Sequence, residues 1–230
     1  MPRPHRIQLP GIAHHVTQRG NQRSQIFFQP EDYSLYLNLL RRHARQSGVS
    51  ISAYCLMPNH VHLIATPSSD DGLSRLMQRL QSDYSRWLNL KLDRSGHNWQ
   101  SRYYAAPLDE HHFWAAMVYV EQNPSRAHLV NAASQWQWSS ARAHLADSDE
   151  QWLDLTIWRQ STSPAFWRSA LKRGLRDAAL LERIRDSTRC GKPIGDDQFT
   201  EKISRELNID LRPRPKGRPR KVTESTAAAA

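Results

Sequence analysis

Cysteine is nearly absent: Cys55 and Cys190, far apart in 230 residues, are the only two. That excludes a disulfide scaffold and a four-cysteine zinc site. No apolar run approaches the roughly 20 residues needed to span a bilayer. The opening Met1-Pro-Arg-Pro-His-Arg6 has no apolar stretch behind it, which argues against a secretory signal. Acid is in short supply too, with 22 Asp+Glu against 32 Lys+Arg and a formal charge of +10. What is there is aromatic: eight tryptophans and seven tyrosines exceed what a disordered basic chain carries. The expectation is one well-cored domain with a small appendage, cytoplasmic, without membrane contact, and drawn to a polyanion, nucleic acid first.

Periodicity gives the order of elements. Residues 11–19 alternate as a strand and end in the donor-dense turn Arg19-Gly-Asn-Gln-Arg23. Residues 31–46 carry Tyr33, Tyr36, Leu37 and Leu40 at helical spacing, and Gly48 stops the helix. Residues 49–57 and 60–66 form a hairpin about Pro58-Asn59. A long amphipathic helix runs from Asp70-Asp71-Gly72 to about residue 92, followed by a short strand within 99–107. Asp109 caps a helix over 110–122 that Asn123-Pro124 ends. This β-α-β-β-α-β-α order is an α+β, ferredoxin-like split β-α-β fold: an antiparallel sheet with helices, plus a mainly helical C-terminal extension. Helices are expected over 164–185 and 196–207. The divisions fall at 1–146, 147–211 and a basic, Pro-rich, disordered tail at 212–230.

Chemistry concentrates at two places. In His60-Val61-His62 the imidazoles sit at i and i+2 of a strand, so both leave one sheet face side by side as half of a divalent-metal site. Tyr119 and Asn123 sit at i and i+4 of one helix. Asn123 can offer an amide oxygen as a third metal ligand. Tyr119 offers a phenol, a feasible nucleophile on a metal-polarised phosphate, although Phe113, Met117 and Val120 nearby suit a core position equally. Of the pair His14-His15, one at most can approach the metal site; His111 and His112 suit a helix start.

Met57-Pro-Asn-His-Val-His-Leu-Ile64 resembles the histidine–hydrophobe–histidine (HUH) motif of single-tyrosine transposases, and Val118-Tyr-Val-Glu-Gln-Asn-Pro-Ser-Arg-Ala127 resembles their tyrosine helix. The likeness is nearest to the REP-associated tyrosine transposases of the IS200-like group. It extends through His15-Val-Thr-Gln-Arg-Gly-Asn-Gln-Arg-Ser-Gln-Ile-Phe27, Trp99-Gln-Ser-Arg-Tyr103 and Trp138-Ser-Ser-Ala141. Gly191-Lys-Pro-Ile-Gly195 and Lys216-Gly-Arg-Pro-Arg-Lys221 look like the tail of longer members. The resemblance implies a metal-dependent single-strand DNA endonuclease and strand transferase acting on palindromic REP hairpin DNA. His60, His62 and Asn123 would hold Mg²⁺ or Mn²⁺, with zinc the runner-up. Tyr119 would form a 5′-phosphotyrosine and free a 3′-hydroxyl. A bacterial, nucleoid-associated monomer is implied. Two alternatives are a non-catalytic hairpin-binding protein and an HUH replication initiator or relaxase-like nickase.

DNA contacts are expected from three groups. Arg19, Asn21, Gln22 and Arg23 crowd one turn and are types that read bases. Arg75, Arg79 and Arg86 make a basic stripe on the long helix, which suits phosphates or a plain wet face. Arg212, Arg214, Lys216, Arg218, Arg220 and Lys221 give the tail six positive charges and no acid, and its Gly-Arg-Pro core resembles a minor-groove AT-hook. Trp99, Tyr103, Trp136 and Trp138 could stack on unpaired bases, but most tryptophans in such a chain are core, so one or two at most are expected to touch DNA.

Overall fold

The computed structural model describes residues 6–146 and 150–211. The basic tail, with Arg212, Arg214, Lys216, Arg218, Arg220 and Lys221, lies outside the described residues, as does most of the acidic loop after Ala146. Strands His14–Arg19 (β1), Val49–Met57 (β2), His60–Pro67 (β3) and Tyr104–Pro107 (β4) form one antiparallel sheet in the order β2-β3-β1-β4. That is the split β-α-β order. The register sets His15 opposite Ile64, Thr17 opposite His62 and Arg19 opposite His60. On β2, Cys55 pairs with His62. Because strand side chains alternate, His15, Thr17, Arg19, His60 and His62 share one face, while Val16, Val61 and Leu63 occupy the other.

Each face has its own core. Helices Pro30–Ser47 (α1) and Gly72–Lys91 (α2) cover the Val16–Leu63 face with Tyr36, Leu40, Leu76, Leu80 and Tyr84, all fully buried. The start of α1 is set by Pro30 in its first turn and by Asp32, whose carboxylate accepts the Phe28 and Gln29 backbone N–H groups at 2.7 and 3.1 Å. Gly48 ends it at φ 63°, a left-handed conformation that favours glycine. Helix Glu110–Glu121 (α3) covers the histidine face. Asp109 caps it by accepting from the His112 N–H at 2.7 Å, so His112 does sit in the capping turn. The short turns Asn123–Arg126 (α4), Ala141–His144 (α5) and Thr156–Ser161 (α6) follow, then Pro164–Arg173 (α7), Ala178–Cys190 (α8) and Asp197–Leu207 (α9). Trp167, Leu171, Ile184 and Ile194 join the apolar cluster under α3, so the C-terminal helices share its core.

Both sheet edges are covered. Trp138-Ser-Ser-Ala141 runs along β2, with Leu56 N–H donating to Trp138 O at 2.9 Å and Ser140 N–H to Tyr54 O at 3.0 Å. The Gly191–Gly195 turn does the same beyond β4, where Ile194 N–H donates to Pro107 O at 2.8 Å. Pairing the edges removes exposed ladder groups that would otherwise recruit other strands. Two expectations need correction. The helix expected over 164–185 is two helices, because Gly174 at φ 66° breaks it. The strand expected over 99–107 shortens to Tyr104–Pro107, since Trp99 makes only an isolated bridge to Gly20.

Candidate functional site

The histidine face opens into a cavity of about 580 Å³ between β1, β3, α3 and α8, lined by His15, His60, His62, Tyr119, Asn123 and Arg126 among others. Tyr119, 5% exposed, sits edge-on to His15 and His62 with ring centroids 5.6 and 5.7 Å away. His60 and His62 meet edge-to-face at 5.0 Å. The strand pair and the tyrosine helix therefore converge, although 57 positions (119 − 62) separate their residues.

Hydrogen bonds fix the states of the rings. Asn59 Nδ2 donates to Arg23 O at 2.9 Å, which turns its Oδ1 toward His60 Nδ1 at 2.6 Å. An amide oxygen only accepts, so His60 carries its proton on Nδ1 and its lone pair on Nε2. His62 Nδ1 lies 2.9 Å from His15 Nε2, and the two rings are within 5° of coplanar. Burial holds these imidazoles neutral. It pulls His15 down to about 3, with Arg126 adding to the effect, and His60 down to about 4, with Arg19 and Arg126 adding. His62 is pushed well below the ordinary imidazole range by burial and by its neighbours His60 and His15.

These donors suit a divalent cation in part. Two neutral imidazoles with outer hydrogen bonds to their Nδ1 positions are the arrangement that prepares Nε2 as a ligand. Among the described residues no three His, Cys, Asp or Glu side chains form a metal-binding group, so these two imidazoles supply only part of a cation's donor set. Asn123 stands at the cavity, but its amide is engaged. Nδ2 donates to the Tyr119 and Val120 carbonyls at 3.1 and 3.3 Å, and Oδ1 accepts from Arg126. The helical turn α4 causes this, carrying Arg126 round beside Asn123.

Charge around the cavity is one-sided. Arg19, Arg23, Arg126, Arg185 and Arg189 line it against Asp186 alone, and Asp186 pairs with Arg189 at 3.1 Å. The Arg126 guanidinium lies 4.2 Å over the Tyr119 ring, and its buried Nη1 has no hydrogen-bond partner. An unmet buried guanidinium nitrogen beside a phenol is a ready anion contact. Sequence reasoning passed over Arg126, although it lies inside the tyrosine-helix motif, and over Asn59, which read only as a turn residue. Arg185, Arg189 and Thr188 gave no local signal at all.

The expected DNA contacts divide. Arg19 and Arg23 line the cavity; Asn21 and Gln22 are exposed on the adjoining one-turn helix, where Gln22 and Arg23 take φ of 50° and 62°. Gly20 makes that turn possible, because a Cβ there would meet Ser24 O at 2.2 Å. Arg75, Arg79 and Arg86 are on α2, across the sheet from the cavity. Arg75 is tied to Asp71 at 2.6 Å, and Arg86 lies 4.0 Å from Asp83. The aromatic candidates lie elsewhere as well. Trp138 stacks on Tyr33 at 4.8 Å, Trp136 donates to Leu56 O, Trp99 packs on Tyr36 and Tyr84, and Tyr103 is buried under Arg6. The exposed aromatic ring at the cavity is Tyr104, 36% accessible.

A family model for IS200-like transposases matches residues 9–123, half of the chain. Among solved structures, the fold is similar to that of a REP-associated tyrosine transposase bound to a REP hairpin: TM-score 0.54, 22% identity, 68% of this chain and 96% of that one. A second similar structure, a candidate transposase from Deinococcus radiodurans R1, has TM-score 0.36 and 22% identity over 53% of this chain and 95% of that one. No curated protein matches. Among the described residues no helix is long and apolar enough to cross a membrane.

Proposed function

Since this chain belongs to the IS200-like transposase family, we propose that it is a single-strand DNA endonuclease and strand transferase acting on hairpin DNA of the palindromic-repeat type, with Tyr119 as nucleophile. One observation carries the reading. The Tyr119 ring packs against two neutral imidazoles and under a guanidinium, in a cavity with five arginines and a single, already paired carboxylate. Such a cavity repels acids and holds phosphate.

In the reaction the Tyr119 oxygen bonds to phosphorus and the P–O3′ bond breaks. The 5′-phosphate stays on the enzyme, and the leaving 3′-oxygen ends as a hydroxyl. The reverse attack by a 3′-hydroxyl rejoins strands, since the phosphotyrosine conserves the bond energy. Arg126, poised over the ring, offers Nη1 to a phosphate oxygen and to the charge that develops there in the transition state. His60 and His62 would hold Mg²⁺ or Mn²⁺ through Nε2, with Asn123 joining once Arg126 turns to the phosphate. Bound there, the cation supplies charge neutralisation and polarisation of the scissile phosphate. Arg19, Asn21, Gln22 and Arg23 grip the hairpin at the cavity rim, and Tyr104 offers a face on which an unpaired base stacks. The tail charges at Arg214, Lys216, Arg218, Arg220 and Lys221 add salt-dependent affinity.

The test is a labelled single-stranded oligonucleotide with a palindromic repeat and its flanks, incubated with Mn²⁺ or EDTA and run on a denaturing gel. Wild type should give a metal-dependent covalent band, and Tyr119→Phe should bind equally but give none. A band that persists in Tyr119→Phe moves the nucleophile to Tyr104, because Tyr84 and Tyr103 are buried in the core under α1 and α2. Binding without any adduct from wild type makes the chain a hairpin-binding protein.

A further inference from the structure

Helix α8 lies beyond the segment 9–123 that the family model matches, yet it completes the cavity. Thr188, 1% exposed on its inner side, is hydrogen-bonded to His15 across 173 positions of sequence. The direction of every bond in this chain of contacts is fixed from one end. Ile184 O is a carbonyl, so Thr188 Oγ1 donates to it, at 2.7 Å. The hydroxyl has one proton, so toward His15 Nδ1, 2.7 Å away, it can only accept. Neutral His15 is then protonated at Nδ1 and carries its lone pair on Nε2. That lone pair accepts from His62 Nδ1–H at 2.9 Å. His62, with its proton so placed, keeps its free lone pair on Nε2.

We propose that Thr188 and His15 are positioning residues that set the tautomer of His62, so that the C-terminal extension determines whether the histidine pair presents two ligand nitrogens. This rests on the reading of His62 as a ligand at the phosphate site. His60 receives the same treatment locally, from Asn59 next to it in sequence. His62 receives it from a helix more than a hundred residues downstream. A threonine's methyl and hydroxyl suit the task, since the methyl fills space while the back-bond to Ile184 uses up the only proton. Outer partners of this kind are worth about 10–100-fold in metal affinity.

The experiment uses the full chain, free of metal and DNA, with ¹⁵N-labelled histidine. Protonated and bare ring nitrogens resonate far apart, so NMR reads the tautomer directly. Wild-type His62 should be protonated at Nδ1 and bare at Nε2. In Thr188→Val, of equal shape but with no acceptor, His62 should lose that single tautomer, and Mn²⁺ alone should bind about 10–100-fold more weakly by EPR titration. Thr188→Ser should restore both readings. Should Thr188→Val disturb α8 itself, His15→Leu removes the acceptor from the strand side and should shift His62 in the same way. A wild-type His62 protonated at Nε2 overturns the proposal. So does a His62 spectrum unchanged in both Thr188→Val and His15→Leu. These readings involve no DNA, so they are separable from the adduct assay. A responsive His62 with no adduct sinks the nuclease alone, and an adduct with an unresponsive His62 sinks this inference alone.

Discussion

Helix α3 carries two buried polar clusters on opposite sides of its last turn, built in opposite ways. At Glu121, fully buried, one carboxylate takes everything offered: Oε1 accepts from Ser140 Oγ and His144 Nδ1, both at 2.5 Å, and Oε2 accepts from Trp167 Nε1 at 2.8 Å. Only His144 Nε2 is left unmatched. At Tyr119, two residues earlier, three imidazoles and a guanidinium meet with no carboxylate among them. The first cluster fastens α3 to the β2-edge segment and to α7. The second leaves lone pairs and a guanidinium nitrogen facing a cavity. Buried polarity matched from within holds a fold together, and buried polarity left unmatched awaits a ligand.

Substitutions should separate the two. Glu121→Ala strands three buried donors and opens a hole, so it should cost about 3–5 kcal/mol in urea unfolding. A loss under about 1 kcal/mol would erase the distinction. Acid should act next. His14 and His15 are buried and held at about 4 and about 3, below the ordinary 6.5, so the unfolded chain takes up their protons first. Their contribution is complete above about pH 6.5 and is lost as pH falls toward 4, by up to about 1.4 kcal/mol per pH unit for each group. The urea midpoint at pH 5 should therefore lie below that at pH 7.5, and equal midpoints would refute neutral burial. His60→Ala, at the rim, should cost less than about 1 kcal/mol of stability while abolishing Mn²⁺ binding and adduct formation. Smallest of all, Arg79→Ala should leave hairpin affinity unchanged while Arg19→Ala lowers it several-fold. Equal losses in a filter-binding assay would bring the α2 face into the interface.

Much of this was legible from the residues alone. The β2–β3 hairpin stands where its alternation put it, because one-residue slips would have turned His60 and His62 into the opposite core. The histidine pair and Tyr119 meet in one cavity, as motif order implied. Legibility stopped where structure depends on distant partners. The break between α7 and α8 hangs on Gly174, which lies inside the helical pattern expected over 164–185. One or two at most of Trp99, Tyr103, Trp136 and Trp138 are expected to reach DNA, and tertiary packing holds all three tryptophans against the core. Asn123 looked free to ligate until the turn at Pro124 brought Arg126 to its oxygen. Nothing local links His15 to Thr188.

That last bond also orders events in time. Thr188 follows His62 by 126 positions (188 − 62). A ribosome adding roughly 5–20 residues each second reaches it about 6–25 s later. During that interval the nascent chain already carries its histidine pair, but the hydroxyl that orients His15 has not yet been made. The site is finished only once residue 188 has been added and α8 has closed over the sheet.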